Sequence, residues 1–298
     1  MNKIFTVIII GLLFFCGSIY GQNTLKYNFK IGDSLIVSQK SNQAIVQDMN
    51  GQKHEMNNVI EGDYVFYIKA KTDSSYIIDF KYNTFKMTST SNIYGSLMSV
   101  DTTKEVLDTD MEGKIFSGLT EVYVEMEMLE TGKIRKVIGT EKLIERMITN
   151  AGIEDEFTIE LVKEAMKKEF GNESLGESIS QMTFIYPNAE VNIGDHWTTH
   201  FNGDLKAIND WTFNNVSDQI EISALSDITL NNAEQSLTMN LTGTQETSIK
   251  ANLKSGFPEY VVTNSVAKGD TIMEHMKDVK IPTTITTKTI FKLERHVQ

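Results

Sequence analysis

Tyr64-Val65-Phe66-Tyr67-Ile68 and Tyr76-Ile77-Ile78-Asp79-Phe80, with Asp73-Ser74-Ser75 between them, decide the fold class. Both runs are aromatic and β-branched, the composition that fits a pleated, half-buried surface. Too few residues separate them for a parallel crossover, so they pair antiparallel. The same signature spreads outward through Leu35-Ile36-Val37 and Val122-Tyr123-Val124. Asn50-Gly51, Glu61-Gly62-Asp63 and Glu130-Thr131-Gly132-Lys133 read as the turns between runs. Residues 25–138 are therefore expected to be a meander of short strands.

The middle of the chain changes period. Leu143, Ile144, Met147, Ile148 and Ala151 fall on one helical face, with Thr140 as the expected N-cap and Gly152 as the stop. A second helix is expected from about Thr158 to Phe170, with Leu161, Val162, Ala165, Met166 and Phe170 on one side. Leu175, Ile179 and Met182 mark a third. Helices with one apolar stripe must cover something, and the neighbouring sheet is the natural partner. After Tyr186-Pro187 the strand pattern returns in Ile220-Glu221-Ile222, in Leu237 to Leu241, in Tyr260-Val261-Val262 and in Thr284 to Leu293. Ser255-Gly256-Phe257-Pro258 is read as the turn joining Ile249–Leu253 to the strand at Tyr260. Ile31-Gly32-Asp33 and Ile193-Gly194-Asp195 open the two β regions alike and suggest a duplication. The expectation is an α+β fold: one or more large curved antiparallel β-sheets with two or three amphipathic helices inserted mid-chain. Its divisions are a signal peptide over 1–21, a β region over 22–138, helices over 139–183 and a second β region over 184–298. A single domain over 22–298 is the alternative.

Lys3, the apolar run Ile4 to Phe15 and the small residues Gly17, Ser18 and Gly21 have the layout of a secretory leader. The run is shorter than the ~20 residues that span a bilayer. Cleavage is expected after Gly21, leaving Gln22 first and the protein periplasmic or extracellular. Cys16 offers a competing lipoprotein route, disfavoured because Phe15 stands where a small residue is wanted. Cys16 is the one cysteine of the chain and leaves with the leader, so thiolate chemistry goes with it. The net charge of −12 argues against nucleic acid and against adsorption to an anionic membrane. Membrane contact is expected to be transient at most.

No catalytic residue, metal site or cofactor is expected. The histidines are His54, His196, His200, His275 and His296. His196 and His200 have a zinc-like spacing for a helix, but Trp197-Thr198-Thr199 between them favours a strand, where residues four apart sit ~13 Å from each other. Asp101, Asp108 and Asp110 lack the order, glycine and closing glutamate of an EF-hand. Glu125, Glu127 and Glu130 are candidate acid/base carboxylates, yet Val124, Met126 and Met128 alternate with the first two as on a solvated strand face. G-x-S-x-G, Walker and G-x-G-x-x-G motifs do not occur. The fourteen methionines and many aromatics read mainly as core, with Trp197 and Trp211 either lining a pocket or anchoring a sheet.

The order of these features, Lys30-Ile31-Gly32-Asp33, Glu130 to Gly139, Tyr186-Pro187 with Ile193 to Trp197, and Leu253 to Pro258, resembles an uncharacterised family of exported Bacteroidota proteins, a domain of unknown function. The resemblance spans most of the chain and implies an envelope location, with no functional residues to carry over. At the level of fold, a curved antiparallel sheet covered by a few helices is similar to the periplasmic lipoprotein carriers. Three functions compete: a binding protein for an apolar ligand such as a lipid, an envelope interaction or structural module, and, behind both, a hydrolase. An open sheet concavity would favour the first, an exposed apolar patch or bare strand edge the second, and converging carboxylates the third.

Overall fold

The computed structural model describes residues 24–49, 51–203, 205–233, 237–273 and 279–297. The Ile4–Phe15 run, Cys16, the cut expected after Gly21 and His275 lie outside the described residues.

The strands are long and join one antiparallel sheet. In chain order they are β1 (Ser34–Met49), β2 (Gln52–Lys71), β3 (Ser75–Ser91), β4 (Gly95–Asp101), β5 (Val124–Leu129) and β6 (Ile134–Ile138). After the helices come β7 (His196–Asn202), β8 (Leu205–Val216), β9 (Gln219–Ala233), β10 (Leu237–Asn252), β11 (Pro258–Met273) and β12 (Lys280–Val297). The spatial order is β6-β5-β3-β2-β1-β12-β11-β10-β9-β8-β7, with β4 beside the far half of β3. The two halves of the chain meet where β1 pairs with β12.

Glu61-Gly62-Asp63 is no turn: it lies inside β2, opposite Phe85 and its neighbours, where a bulge follows at Asp63/Tyr64. Glycine there lets the Thr84 carbonyl approach, since a Cβ would sit 3.0 Å from it. Gly243 and Gly269 do the same on β10 and β11, where a Cβ would collide with the carbonyls of Val266 and Asn240.

The first β region is also interrupted by a helix the strand pattern concealed, α1 (Met111–Ser117), which Asp110 caps through Gly113 N at 2.8 Å. Residues 121–123 are irregular, and the strand begins at Val124.

Three further helices fill the middle: α2 (Thr140–Ala151), α3 (Glu156–Phe170) and α4 (Asn172–Thr183). The cap of α2 is Gly139 in the left-handed region, while Thr140 is buried and donates to Asn172 Oδ1 at 2.8 Å. Gly152 ends α2 as expected. α3 starts two residues earlier than read, because Asp155 accepts from Thr158 N. Its apolar side is not a buried stripe: Met166 and Phe170 touch the core, but Leu161 is 57% exposed. Leu175, Ile179 and Met182 of α4 are buried, as their spacing predicts.

The two Ile-Gly-Asp turns match bond for bond. Asp33 Oδ2 accepts from Lys30 N at 2.9 Å, and Asp195 Oδ2 from Asn192 N at 2.7 Å. Gly32 (φ 96°) donates to Ile68 O on β2, and Gly194 (φ 92°) to Phe213 O on β8. Ile68 N and Phe213 N return bonds to Asp33 O and Asp195 O. Each half of the sheet thus opens with the same locked turn. The pair differs in burial, since Asp33 is enclosed, with His296 Nε2 3.3 Å away, and Asp195 is exposed. Asp33→Ala is expected to cost about 2–3 kcal/mol and Asp195→Ala about 1 kcal/mol, because Asp33 is enclosed and faces His296 whereas Asp195 makes its bond in solvent. Urea unfolding of both variants tests this, and equal losses would contradict it.

Candidate functional site

Alternate positions of every long strand face one interior. Gln39, Ser41 and Gln43 of β1, Leu205 of β8, Gln245 of β10 and Thr287 of β12 line the same cavity as Ile179 and Met182 of α4. Strands that distant in the sheet share a cavity only because the sheet curls around α4. Among the described residues the edge strands β6 and β7 do not pair with each other: Arg135 and Val137 of β6, Gly176 and Glu177 of α4, and Phe201 of β7 line an outer groove of about 480 Å³. α4 therefore sits in the seam. It comes close to β6 through Gly176, where a Cβ would lie 3.2 Å from Val137 Cγ2, while the Phe184 ring beyond its end meets Phe201 at 6.2 Å.

The lumen is layered. At its base lies an aromatic core with Tyr27, Tyr76, Phe66, Phe80, Tyr186 and Phe257 fully buried. Near the hairpin ends lies a second apolar cluster, Ala207, Ile228, Leu241, Ala267 and Ile285, flanked by Ile45, Leu205, Leu230 and Met239. Between them runs a polar girdle. Thr199, Asn209, Ser226, Gln245, Ser265, Thr287, Gln43, Asn58 and Ser89 face one another in unbroken succession across nine strands. A shorter row, Thr247, Thr263, Thr289 and Ser41, lies beneath it.

Part of the girdle is self-satisfied. Ser226 Oγ donates to Asn209 Oδ1 at 2.6 Å, Asn209 to Thr199 Oγ1 at 3.2 Å, Asn58 to Gln43 Oε1 at 3.0 Å and Ser89 to Asn58 Oδ1 at 2.7 Å. The Gln245, Ser265 and Thr287 segment borders the cavity, whose volume is about 320 Å³. Leu205, Ile228, Leu230, Ile285 and Phe291 give the wall its apolar part, and Ser178 and Gln181 of α4 add further polar groups. Tyr64 and Tyr82 also reach it; burial pushes both phenols well above their usual range, so they stay neutral. Tyr64 Oη donates to Gln39 Oε1. The cavity wall holds no acid and no base.

The residues singled out from the sequence do not converge. His196 and His200 lie on β7, both exposed, His196 beside Thr212 Oγ1 at 3.2 Å and His200 at the outer groove. Asp101 accepts from Thr103 and pairs with Lys86 and Lys104, contacts that lower its carboxyl. Asp110 caps α1, and Asp108 meets Lys114 at 3.6 Å. Glu125 pairs with Lys69 at 2.8 Å and Glu130 with Lys26 at 3.0 Å. Glu127 accepts from Arg135 and from Ser75 Oγ, which hold its carboxyl below the ordinary range. These are ion pairs and caps of a solvated surface. Trp197 and Trp211 face each other, bonded to Ile185 O at 3.1 Å and Thr199 Oγ1 at 2.8 Å, and anchor the β7–β8 pair.

Ser91 Oγ and His54 Nε2 lie 2.9 Å apart, the spacing of a nucleophile and its base. Yet Ser91 Oγ also accepts from Ile93 N and Tyr94 N, both at 3.1 Å. Its lone pairs are committed to the turn, and the pair is structural.

The outward positions of β8 to β12 carry Lys206, Asp210, Asp227, Glu246, Lys268 and Lys288, all exposed. Lysines on a lipid face cost ~2–4 kcal/mol each at a bilayer midplane and acids somewhat less, so this wall faces water.

The model of a family of unknown function, DUF6263, matches residues 73–258. Comparison with curated proteins finds no match. Among solved structures, one of lipid–protein interactions in lipovitellin superposes with a TM-score of 0.50 at 8% identity, covering 91% of this chain and 26% of that one. An outer membrane channel from Pseudomonas putida F1 follows at a TM-score of 0.27 and 8% identity, covering 90% of this chain and 97% of the channel. The first similarity is one of fold. The chain spans about a quarter of the lipovitellin chain it matches, and the second score is too low to bear on the architecture.

Proposed function

The chain belongs to DUF6263, a family of unknown function, and from that premise we propose that it is a non-enzymatic binding protein of the cell envelope whose lumen takes a small, uncharged, amphipathic molecule. The observation that carries this is the cavity wall: a hydrogen-bonding segment of Gln245, Ser265 and Thr287 beside an apolar layer of Leu205, Ile228, Leu230 and Ile285, with no ionisable acid or base among them. A volume of about 320 Å³ is at the low end of small-molecule sites, which start near ~300 Å³. Amide and hydroxyl groups of the girdle match a neutral polar head, and the aliphatic wall matches a short apolar chain. A carboxylate or phosphate would be buried there without a counter-ion, at a cost of several kcal/mol. The apolar ligand expected from the sequence thus becomes an amphipathic one. The envelope location rests on the leader-like Ile4–Phe15 segment and the cut expected after Gly21.

Native mass spectrometry of the protein purified from its own envelope fraction tests both parts, because one spectrum reads the mature mass and any adduct lost on denaturation. In titrations, monododecanoylglycerol is expected to bind and dodecanoate to bind at least about tenfold more weakly, one buried unpaired charge being worth that or more. Ser265→Phe, which fills the cavity from a lining position, is expected to weaken the glyceride by about tenfold or more. Equal binding of both probes, or glyceride binding indifferent to Ser265→Phe, would sink the proposal.

A further inference from the structure

Five hairpins end at the same rim of the curled sheet, because β1–β2, β3–β4, β7–β8, β9–β10 and β11–β12 all turn there. One differs in composition. From Met87 to Val100 the chain has no charged residue, within a protein carrying 28 basic and 40 acidic ones. Its turn presents Ile93 at 53%, Tyr94 at 71% and Leu97 at 45% exposure.

This hairpin is held rigidly. Asn92 is bonded to β2 three times: its N–H to Glu55 O and its Nδ2 to Lys53 O, while Oδ1 accepts from Glu55 N, all within 3.0 Å. Ser91 Oγ caps the turn and meets His54, whose ring lies edge-on to Tyr94 at 5.7 Å. Gly95 supplies the positive φ of 75°. A loop left exposed by neglect would not be tied down in this way.

From these observations we infer that the β3–β4 hairpin is a docking finger for the surface of an uncharged, zwitterionic lipid bilayer. Two aliphatic side chains and a tyrosine on one rigid tip suit the boundary between acyl chains and head groups, with the phenol hydroxyl in the polar layer. The tip has no charge to desolvate, and no basic cluster to seek anionic lipid. The finger also stands on the rim nearest the second apolar cluster, where Ile45, Leu205, Leu230 and Met239 are only partly buried. The finger and that cluster therefore lie toward the same end of the strands. The docking surface is argued from the hairpin alone and does not require the lumen to hold a ligand.

Flotation of the full chain with phosphatidylcholine vesicles tests the inference. The native protein is expected to rise with the vesicles, little affected by salt, and to rise less when anionic phosphatidylglycerol is added, because the chain carries a net charge of −12. The triple variant Ile93→Ser/Tyr94→Ser/Leu97→Ser is expected to partition at least about tenfold less, from the apolar area removed. Ser96→Glu, at an exposed position of the same tip, should lower partition similarly by placing a carboxylate in the interface, with circular dichroism and Tm unchanged. Ser265→Phe should float like the native protein, which separates a failure of the lumen proposal from a failure of this one. Native protein that stays at the bottom, as it would if the finger served a protein partner, overturns the inference. So does a triple variant or a Ser96→Glu variant that floats undiminished.

Discussion

Gly132→Ala is expected to destabilise the protein by about 4 kcal/mol or more, the range reached when a backbone clash and a forbidden φ coincide. Gly132 turns the chain between β5 and β6 at a φ of 92°. A Cβ there would collide with the Thr183 carbonyl and come within 2.6 Å of the Tyr27 ring. None of the three can step aside. Thr183 O accepts from Tyr27 Oη at 2.8 Å, and Thr183 Oγ1 donates to Gly132 O at 2.7 Å. Tyr27 N is bonded to Glu130 O, and Tyr186 N to Thr131 O. The turn is thus the knot where the N-terminal arm, the β5–β6 hairpin and the end of α4 are tied. Gly51→Ala is the built-in control: its φ of 90° is equally left-handed, but a Cβ there meets nothing within 4 Å, so it should cost only the backbone term of ~1–2 kcal/mol. Denaturant unfolding of the two variants decides the matter, and similar losses would show that Gly132 is a turn glycine and no more.

The sequence announced the strands but hid their lengths. Antiparallel pairing followed from the short gap between Ile68 and Tyr76, and the helical stripe at Leu143, Met147 and Ile148 was as plain as the stop at Gly152. Glu61-Gly62-Asp63 misled because the same residues that make a turn also make a bulge inside a strand, and only the partner strand tells them apart. Thr140 had the chemistry of a cap but was wanted in the core, so Gly139 took the position by conformation. α3 shows the limit of periodicity: its stripe is real in sequence, yet the helix is placed so that only the Met166 and Phe170 end finds the core.

The candidate site was the least legible part, for a physical reason. Gln245, Ser265 and Thr287 alternate with residues such as Glu246, Val266 and Lys288, and a polar position between polar or charged neighbours reads as an outer face twice over. Which side is the lumen depends on the direction of curl, which no single strand reveals. The signal that could have found the girdle is its register: Thr247, Thr263 and Thr289 with Gln245, Ser265 and Thr287 are paired hydroxyl and amide positions at spacing two on three successive long strands. Their chemistry is uncharged throughout, unlike the salt-bridged wall outside.

Alkaline solution is expected to unfold the protein steeply, starting just above pH ~10, with the release of about four protons. Burial raises the phenols of Tyr27, Tyr64, Tyr82 and Tyr186 well above their usual range, with smaller contributions from Tyr186 on Tyr27 and from Tyr82 and Asp63 on Tyr64. Each folded-state phenol therefore holds its proton more tightly than the unfolded chain does. Below pH ~10 both states are protonated and the full stability is present. Above it the unfolded chain ionises first, and stability falls by ~1.4 kcal/mol per pH unit for each tyrosine, about 5 kcal/mol per unit for the four. Domains are stable by only ~5–15 kcal/mol, so the transition should be complete within about three pH units. Two of the hydroxyls cannot ionise in place without breaking a buried bond, since Tyr27 Oη donates to Thr183 O and Tyr186 Oη to Gly256 O at 2.5 Å. The tyrosinate absorbance of these four should therefore appear only with the loss of far-ultraviolet circular dichroism, as a step added to the signal of exposed tyrosines such as Tyr94 and Tyr123. Tyr64→Phe should reduce the steepness by about one proton, because it removes one of the four groups. Tyrosinate absorbance that reaches the value for every tyrosine of the chain while the dichroism holds would mean that these four phenols reach solvent in the folded protein, and their burial would have to be abandoned with it.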